Sequence, residues 1–239
     1  MRARPTEPLA VVDAGTVPYA TAWAWQRDLV ARRQREQGRD TLLLLEHPRI
    51  YTLGRRADRD HILLSDTDLE RRGIEVLDVD RGGDVTYHGP GQLVGYPILR
   101  LAAIHGVVDY VRALETVLIR TLTHFGVEGR RSEGFTGVWV GDAKVAAIGV
   151  RVASGGVTSH GFALNVDCDL ADFGGIVPCG ISDRGVCSLA SLGVETSVAE
   201  VRATVATAMA ETFGATLVEA TTTDLELPEP TPLVTTERR

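Results

Sequence analysis

Two side chains in this 239-residue sequence have the chemistry of a nucleophile and its acid–base partner, Cys179 and Lys144. Cys179 stands in Ile176-Val-Pro-Cys-Gly-Ile181. A Pro-Cys-Gly turn would expose the sulfur, and the glycine after it would free backbone N–H groups to act as an oxyanion hole. The plainer reading of a single cysteine is a small buried hydrophobe, and Cys168 and Cys187 are read that way outright. Lys144 stands out by composition: of 25 basic residues it is the only lysine, the rest being arginine. Arginine cannot lose its proton in a protein whereas a lysine amine can. The exception therefore marks a position where arginine would not serve, unless it is a chance survivor on the surface. The nucleophilic form of cysteine is the thiolate, and a nearby ammonium favours it by charge attraction. If the two groups meet, they titrate as a unit. The ammonium can then donate to a leaving thiol and the neutral amine can take a proton from an attacking nucleophile. Their separation along the chain leaves that meeting to the fold.

A second stretch, Arg81 to Gln92, mixes glycines with polar and aromatic side chains. Glycine lets backbone approach a ligand closely and turns N–H groups toward it. Arg81, Thr86, Tyr87 and His88 are candidates to orient the polar end of a substrate; the alternative is a hairpin that only turns the chain. The sequence from Lys144 to Val152 is rich in small residues, against which a ligand could lie.

Several chemistries are excluded by what is missing. The only lysine follows Ala143, so there is no phosphate loop of the Walker type, and neither G-x-G-x-x-G nor G-x-S-x-G occurs. Cys168, Cys179 and Cys187 lie eleven and eight residues apart, without a C-x-x-C pair; a zinc site built from them with His160 is the minor alternative. No metal and no cofactor is expected. A net charge of -7 argues against nucleic acid as the main partner. The N-terminal residues have no apolar core of a leader, no apolar run is long enough for a membrane helix, and three cysteines suit a reducing compartment. The expected location is the cytoplasm, with no membrane partner.

The elements that must position these groups follow from periodicity. Strands are expected at Leu9 to Val12, Thr41 to Leu45 and Glu75 to Val79, with short extended pieces at Tyr51 to Arg55 and Ile62 to Leu64 around the arginines Arg55, Arg56 and Arg59. A helix after Pro18 would put Trp23, Leu29 and Val30 on its apolar side. Asp66 to Arg72 reads as a short helix. Val107 to Phe125 has apolar residues at helical spacing and ends at Gly126, and a last helix runs from Val198 to Phe213, closed by Gly214. Gly141-Asp142 reads as the turn of a hairpin between Val138 to Val140 and Lys144 to Val152, and Gly155-Gly156 leads into a strand from Val157 to Val166. Hairpins dominate the middle, which predicts an α+β fold with a mixed or antiparallel sheet and packed helices. One catalytic domain is expected over 1–217, and the Thr/Pro/Glu-rich stretch 218–239 reads as a partly disordered tail.

The chain resembles the lipoyl(octanoyl) transferases. The matching stretches are His47-Pro48 through Arg55, Arg81 through Gln92, Gly95-Tyr-Pro-Ile98, Thr136-Gly-Val-Trp-Val140, Lys144 through Val150, Ser159 through Val166 and Val177-Pro-Cys-Gly-Ile181. The resemblance implies transfer of an octanoyl or lipoyl group from acyl carrier protein, through a thioester on Cys179, to a lysine of lipoyl domains. Those domains belong to 2-oxoacid dehydrogenases and to the glycine cleavage H protein. It implies that Lys144 lowers the pKa of Cys179. It also implies that substrate lies against Arg81, Gly82, Gly83, Asp84, Val85, Thr86, Tyr87 and His88, against Ala147, Ile148 and Gly149, and against Gly161, Phe162 and Ala163. The family's fold is similar to the catalytic domain of biotin and lipoate protein ligases. Two departures are Cys187, where threonine is common, and a loop at Ser154 to Val157 one residue longer than in some members.

Thioester exchange is nearly balanced and the final amide pulls the cycle forward, so this chemistry needs no ATP. Burying the six methylenes of an octanoyl chain would contribute ~5 kcal/mol, with chain-length preference modest unless the slot has a hard floor. Arg55, Arg56 and Arg59 would meet the acidic carrier protein, or are merely solvated. Two rivals stand beside the transferase: an ATP-dependent relative of lipoate and biotin ligases, which would not need Cys179, and a non-catalytic acyl-chain binding module.

Overall fold

The computed structural model describes residues 8–101, 106–177 and 184–229. In chain order the elements are β1 (Pro8–Thr16), α1 (Tyr19–Gln34), β2 (Thr41–Glu46), β3 (Ile50–Leu53), α2 (Asp66–Arg72), β4 (Glu75–Asp78), β5 (Val85–His88) and β6 (Gln92–Ile98). They continue with α3 (Val107–His124), β7 (Arg130–Ser132), β8 (Phe135–Val140), β9 (Ala143–Val152), β10 (Thr158–Asn165), β11 (Gly185–Val186), α4 (Val198–Phe213) and β12 (Thr216–Ala220).

Among the described residues the main sheet runs in the order β12-β1-β2-β6-β10-β9-β8-β7, with β11 added alongside β9. It is mixed: β1 pairs in parallel with both β2 and β12, whereas β2, β6, β10, β9 and β8 are successively antiparallel. A second, three-stranded sheet has the order β4-β3-β5. This is the expected α+β architecture with a mixed sheet and packed helices.

Helices cover both faces of the main sheet, which is why β2 and β10 read as near-continuous apolar or small-residue runs rather than alternating ones. On one face α3 and α4 pack over Leu42, Leu44, Leu93 and Leu164. On the other, α1 covers Leu43, Leu45, Val94 and Ile98. Beneath the small sheet, Tyr51, Leu53, Val85 and Tyr87 form a third apolar cluster with Phe173 and Ile176.

Local signals explain the helix ends. Ser197 caps α4 in a reciprocal capping box with Glu200, and Gly214 ends it in the left-handed region. Ser65 caps α2, whose C-cap Gly73 is also left-handed.

Three expectations differ from the structure. In α1 it is Trp25, with Tyr19, Ala22 and Leu29, that faces the core, while Trp23 is only half-buried and donates its indole N–H to Asp80 Oδ1 at 3.2 Å. Ile62 to Leu64 do not form a strand: Ile62 makes a single bridge to Ile176 after a 3-10 turn at Arg59–His61. The compositional break at Leu217 is not a break in packing. β12 continues to Ala220, Leu225 and Leu227 are buried in the α1 cluster, and Trp25 Nε1–H donates to the Pro228 carbonyl at 2.9 Å. Two leucines spaced to reach α1 outweigh a polar average. Residues 230–239 lie outside the described residues. No helix among those described is long and apolar enough to cross a membrane.

Candidate active site

The small sheet and the main sheet face one another across a slot. Its floor comes from β6, β10 and β9, where Ala147, Gly149, Gly161 and Ala163 sit side by side through the pairs Gly161↔Gly149 and Ala163↔Ala147. Its roof is Arg81, Gly82, Gly83 and Asp84 with Thr86 and His88 of β5. Tyr19, Val94, Tyr96, Ile148, His160 and Phe162 complete a space of about 470 Å³, open solvent at its mouth included. Runs of glycine and alanine on paired strands leave room for a ligand without a break in the ladder. The roof approaches closely because there are no side chains to prevent it: Gly82 N–H donates to the Val150 carbonyl at 3.0 Å, and a Cβ on Gly149 would lie 3.0 Å from the Gly82 carbonyl oxygen.

Lys144 lies in a cavity that adjoins this slot at one end. It is buried, its Nζ lies 4.9 Å from the centre of the Trp139 ring, and it lines a cavity with Thr86, Gln92, Ala147, Asn165, Phe173 and Val186. Thr86 and Ala147 border both spaces, so the cavity of the amine adjoins the slot. The amine–aromatic contact suits a cation.

Cys179 lies outside the described residues. The chain before 178–183 is tied to His61 and Ile62, and the chain after it is tied to Lys144. Ile176 bridges Ile62, and Val177 N–H donates to the His61 carbonyl at 2.8 Å. On the far side Gly185 and Val186 pair with Ala143 and Lys144, and Cys187 N–H donates to the Lys144 carbonyl at 3.1 Å. Arg184 stacks over Phe135 and Trp139, the ring that Lys144 also meets. The other two thiols are buried. Burial pushes Cys168 up to about 12 and Cys187 up to about 11, so both stay protonated near neutral pH.

Of the residues expected to touch substrate, Arg81, Gly82, Gly83, Asp84, Thr86, His88, Ala147, Ile148, Gly149, Gly161, Phe162 and Ala163 border the slot. Val85 and Tyr87 do not: strand alternation turns them to the opposite side of β5, into the third cluster, where the Tyr87 hydroxyl donates to Asp172 Oδ2 at 2.8 Å. Arg81 also does more than meet a ligand. Its guanidinium donates to the Thr52 carbonyl at 2.6 Å and to Thr52 Oγ1 at 2.9 Å, which ties the glycine-rich roof to β3.

His88 is held through a chain of amides. Asn165 Nδ2 donates to the Cys187 carbonyl, Gln92 Nε2 donates to Asn165 Oδ1 and to the Tyr87 carbonyl, and Gln92 Oε1 is left to accept from His88 Nδ1 at 2.7 Å. That assignment makes His88 Nδ1 the protonated nitrogen. Burial, with His47 nearby, holds its pKa well below the usual histidine range.

Sequence reasoning did not single out the aromatic and histidine group at the other end of the slot. Tyr19, His47, Tyr96 and His160 come from α1, the turn after β2, β6 and β10, and meet only in the fold. His47 Nδ1–H donates to the Val17 carbonyl at 2.6 Å, so its Nε2 accepts from the Tyr96 hydroxyl at 2.7 Å. The available signal was that His47, Tyr96 and His160 fall in three of the matching stretches. At the mouth, His61 Nδ1–H donates to Asp84 Oδ2 at 2.6 Å. Among the described residues no three His, Cys, Asp or Glu side chains are grouped to hold a metal ion.

Comparison with known proteins places this geometry. Residues 18–210 match the model of the lipoyl protein ligase A/B catalytic domain. An octanoyltransferase of Gloeobacter violaceus is 52% identical over 206 residues, covering 85% of this chain and 90% of the relative. One of Chloroflexus aurantiacus is 52% identical over 210 residues, covering 86% and 94%. Among solved structures, a lipoate-protein ligase A bound with ATP superposes with a TM-score of 0.70 at 17% identity, over 90% of this chain and 89% of that one. A bi-partite lipoate protein ligase of Thermoplasma acidophilum, studied with its E2 lipoyl domain, gives 0.68 at 17%, over 91% and 88%. At such identities the structural likeness establishes the fold.

Proposed function

The chain belongs to the lipoyl protein ligase A/B catalytic-domain family, and we propose that it takes an octanoyl group from acyl carrier protein onto Cys179 and passes it to a lysine of a lipoyl domain. It is an acyltransferase, as its octanoyltransferase relatives are named. The observation that supports the finer reading is that the cavity of Lys144 adjoins the slot, and that the chain following 178–183 pairs with Ala143 and Lys144.

In the first half-reaction the Cys179 thiolate attacks the carrier's thioester carbonyl. The carbon–sulfur bond to the carrier breaks, and the leaving thiolate takes a proton from the Lys144 ammonium. In the second, the amine of the acceptor lysine attacks the Cys179 thioester. Its proton passes to Lys144, the amide forms and the cysteine sulfur leaves. One thioester and one amine become one amide and one thiol, without nucleotide. An ammonium brought beside the sulfur would favour the thiolate. The acyl tail would lie over Ala147, Gly149, Gly161 and Ala163, where six methylenes contribute ~5 kcal/mol on burial. Arg55, Arg56 and Arg59 are exposed next to the roof, with Arg55 and Arg56 N–H groups donating to the carbonyls of Arg81 and Gly83. This basic rim would receive the acidic carrier protein. The acceptors would be the lipoyl domains of 2-oxoacid dehydrogenases and the glycine cleavage H protein, in the cytoplasm.

Intact-mass measurement after exposure to octanoyl carrier protein, with and without ATP, tests this. Wild type should gain one octanoyl group without ATP and lose it to a lipoyl domain. Cys179→Ser should form no productive thioester, and Lys144→Arg should lose turnover severely because its charge cannot be shed. Product only with ATP would instead favour a ligase, and near-normal turnover of Lys144→Arg would remove the proton-shuttling role.

A further inference from the structure

Within β10 one side chain is held in a backbone conformation that L-residues avoid. His160 has a φ of 55°, in the left-handed region, although it lies inside a buried strand. Strain of that kind persists only where the surroundings over-determine it, and it clusters where ligands are gripped. Here three contacts impose it. The His160 N–H donates to Gln26 Oε1 of α1 at 2.7 Å, its Nε2–H donates to Asp80 Oδ1 at 2.7 Å, and its Nδ1 faces the Tyr19 hydroxyl at 3.4 Å. A carboxylate can only accept, so Nε2 carries the proton and Nδ1 is left to accept from Tyr19.

Both ring nitrogens are therefore engaged, Nε2 by Asp80 and Nδ1 by Tyr19, itself a wall of the slot, so what His160 offers a ligand is a surface with no unpaired polar atom. That surface suits the end of an alkyl chain, which would leave any unpaired polar atom unsatisfied. Beyond the ring lies Asp80, whose side chain is 36% exposed and which also pairs with Arg151 at 2.9 Å. His160 is thus a buried layer of the slot wall, backed by partly exposed Asp80 and half-buried Trp23.

Distances along the ladder give this layer a meaning. Ala147, shared with the Lys144 cavity, marks the reactive end. Val150, the β9 partner of His160, lies three residues further on, or ~10 Å at ~3.3 Å per residue. Seven carbon–carbon bonds of ~1.5 Å, zigzagging, span ~9 Å. We propose that His160 is the end wall of the acyl slot and sets the longest chain that the enzyme accepts, at about eight carbons. The proposal rests on the acyl-transfer reading and adds a specificity-determining residue to it.

The test uses carrier protein loaded with saturated chains from hexanoyl to tetradecanoyl, with initial rates and intact masses read for wild type, His160→Gly and His160→Asn. Glycine and asparagine both tolerate the left-handed φ, so the substitutions remove the ring without opposing the backbone. Wild type should lose about tenfold or more in rate between octanoyl and dodecanoyl chains. Both variants should raise the dodecanoyl-to-octanoyl ratio, His160→Gly by about tenfold or more and His160→Asn by less. An unchanged ratio in folded variants overturns the proposal, as does wild type that transfers tetradecanoyl as fast as octanoyl. That wild-type series decides the matter even if neither variant folds. Failure of wild type to accept any chain would instead refute the acyl-transfer reading.

Discussion

The two faces of the main sheet are built from the same strands and do opposite work. Toward α3 and α4, Leu42, Leu44, Leu93 and Leu164 fill the space completely. Toward the small sheet, Ala147, Gly149, Gly161 and Ala163 withhold volume, and the room so made is walled by rings fastened through hydrogen bonds. Protein interiors are otherwise close-packed, so a lasting slot needs a rigid frame. The comparison teaches that here the binding space comes from deleting side chains on one face while the other face supplies stability.

The largest effect should come from filling the slot. Ala147→Leu would place a branched side chain where the acyl tail enters, and kcat/KM for octanoyl carrier protein should fall about a thousandfold, or ~4 kcal/mol. Its melting temperature should stay near wild type, because the added atoms enter open space. Normal turnover in that variant would mean that the acyl chain lies elsewhere.

The converse change, Leu164→Ala on the packed face, should cost about 3 kcal/mol of unfolding free energy through lost burial and a cavity. Octanoyl transfer per folded molecule should change little. Urea unfolding and active-site titration separate the two quantities; a loss of transfer larger than the loss of folded protein would show that the faces are coupled.

Acid should sharpen the contrast further, since the three buried histidines with lowered pKa values border or support the slot. Burial pushes His47 down to about 4 from an ordinary 6.5, and His88 and His160 are lowered for the same leading reason. Between those pH values the unfolded chain binds protons that the folded chain does not. Stability is therefore full above about pH 6.5 and falls as the pH drops toward 4. His47 alone should cost about 2 kcal/mol between pH 7 and pH 5. Urea midpoints at the two pH values check this, and equal midpoints would contradict it.

Much of this fold is legible in short stretches. α2 and α4 have the bounds that their Ser caps and closing glycines specify, and Gly141-Asp142 does form the turn between β8 and β9. The slot floor is legible as small residues in the stretches from Lys144 and from Ser159. Less legible is whatever depends on pairing at a distance. β12 joins β1 in parallel across two hundred residues, as Leu9↔Leu217 records. Trp25 rather than Trp23 faces the core because the helix phase is set by Tyr19, Ala22 and Leu29 together. Tyr87 looked like a substrate contact by its neighbours, yet alternation along β5 turns it away.

By itself the sequence determined which groups can react. A single lysine among arginines and a cysteine between proline and glycine are properties of residue type and nearest neighbours, which no folding alters. Only the tertiary structure decided that the cavity of Lys144 adjoins a slot. It also decided that the slot stops at His160, because Tyr19, Gln26, Asp80 and His160 are brought together across the chain by packing on one face of the main sheet. Local sequence sets backbone preference within a few residues, whereas a binding space is defined by surfaces that meet after the chain has closed on itself.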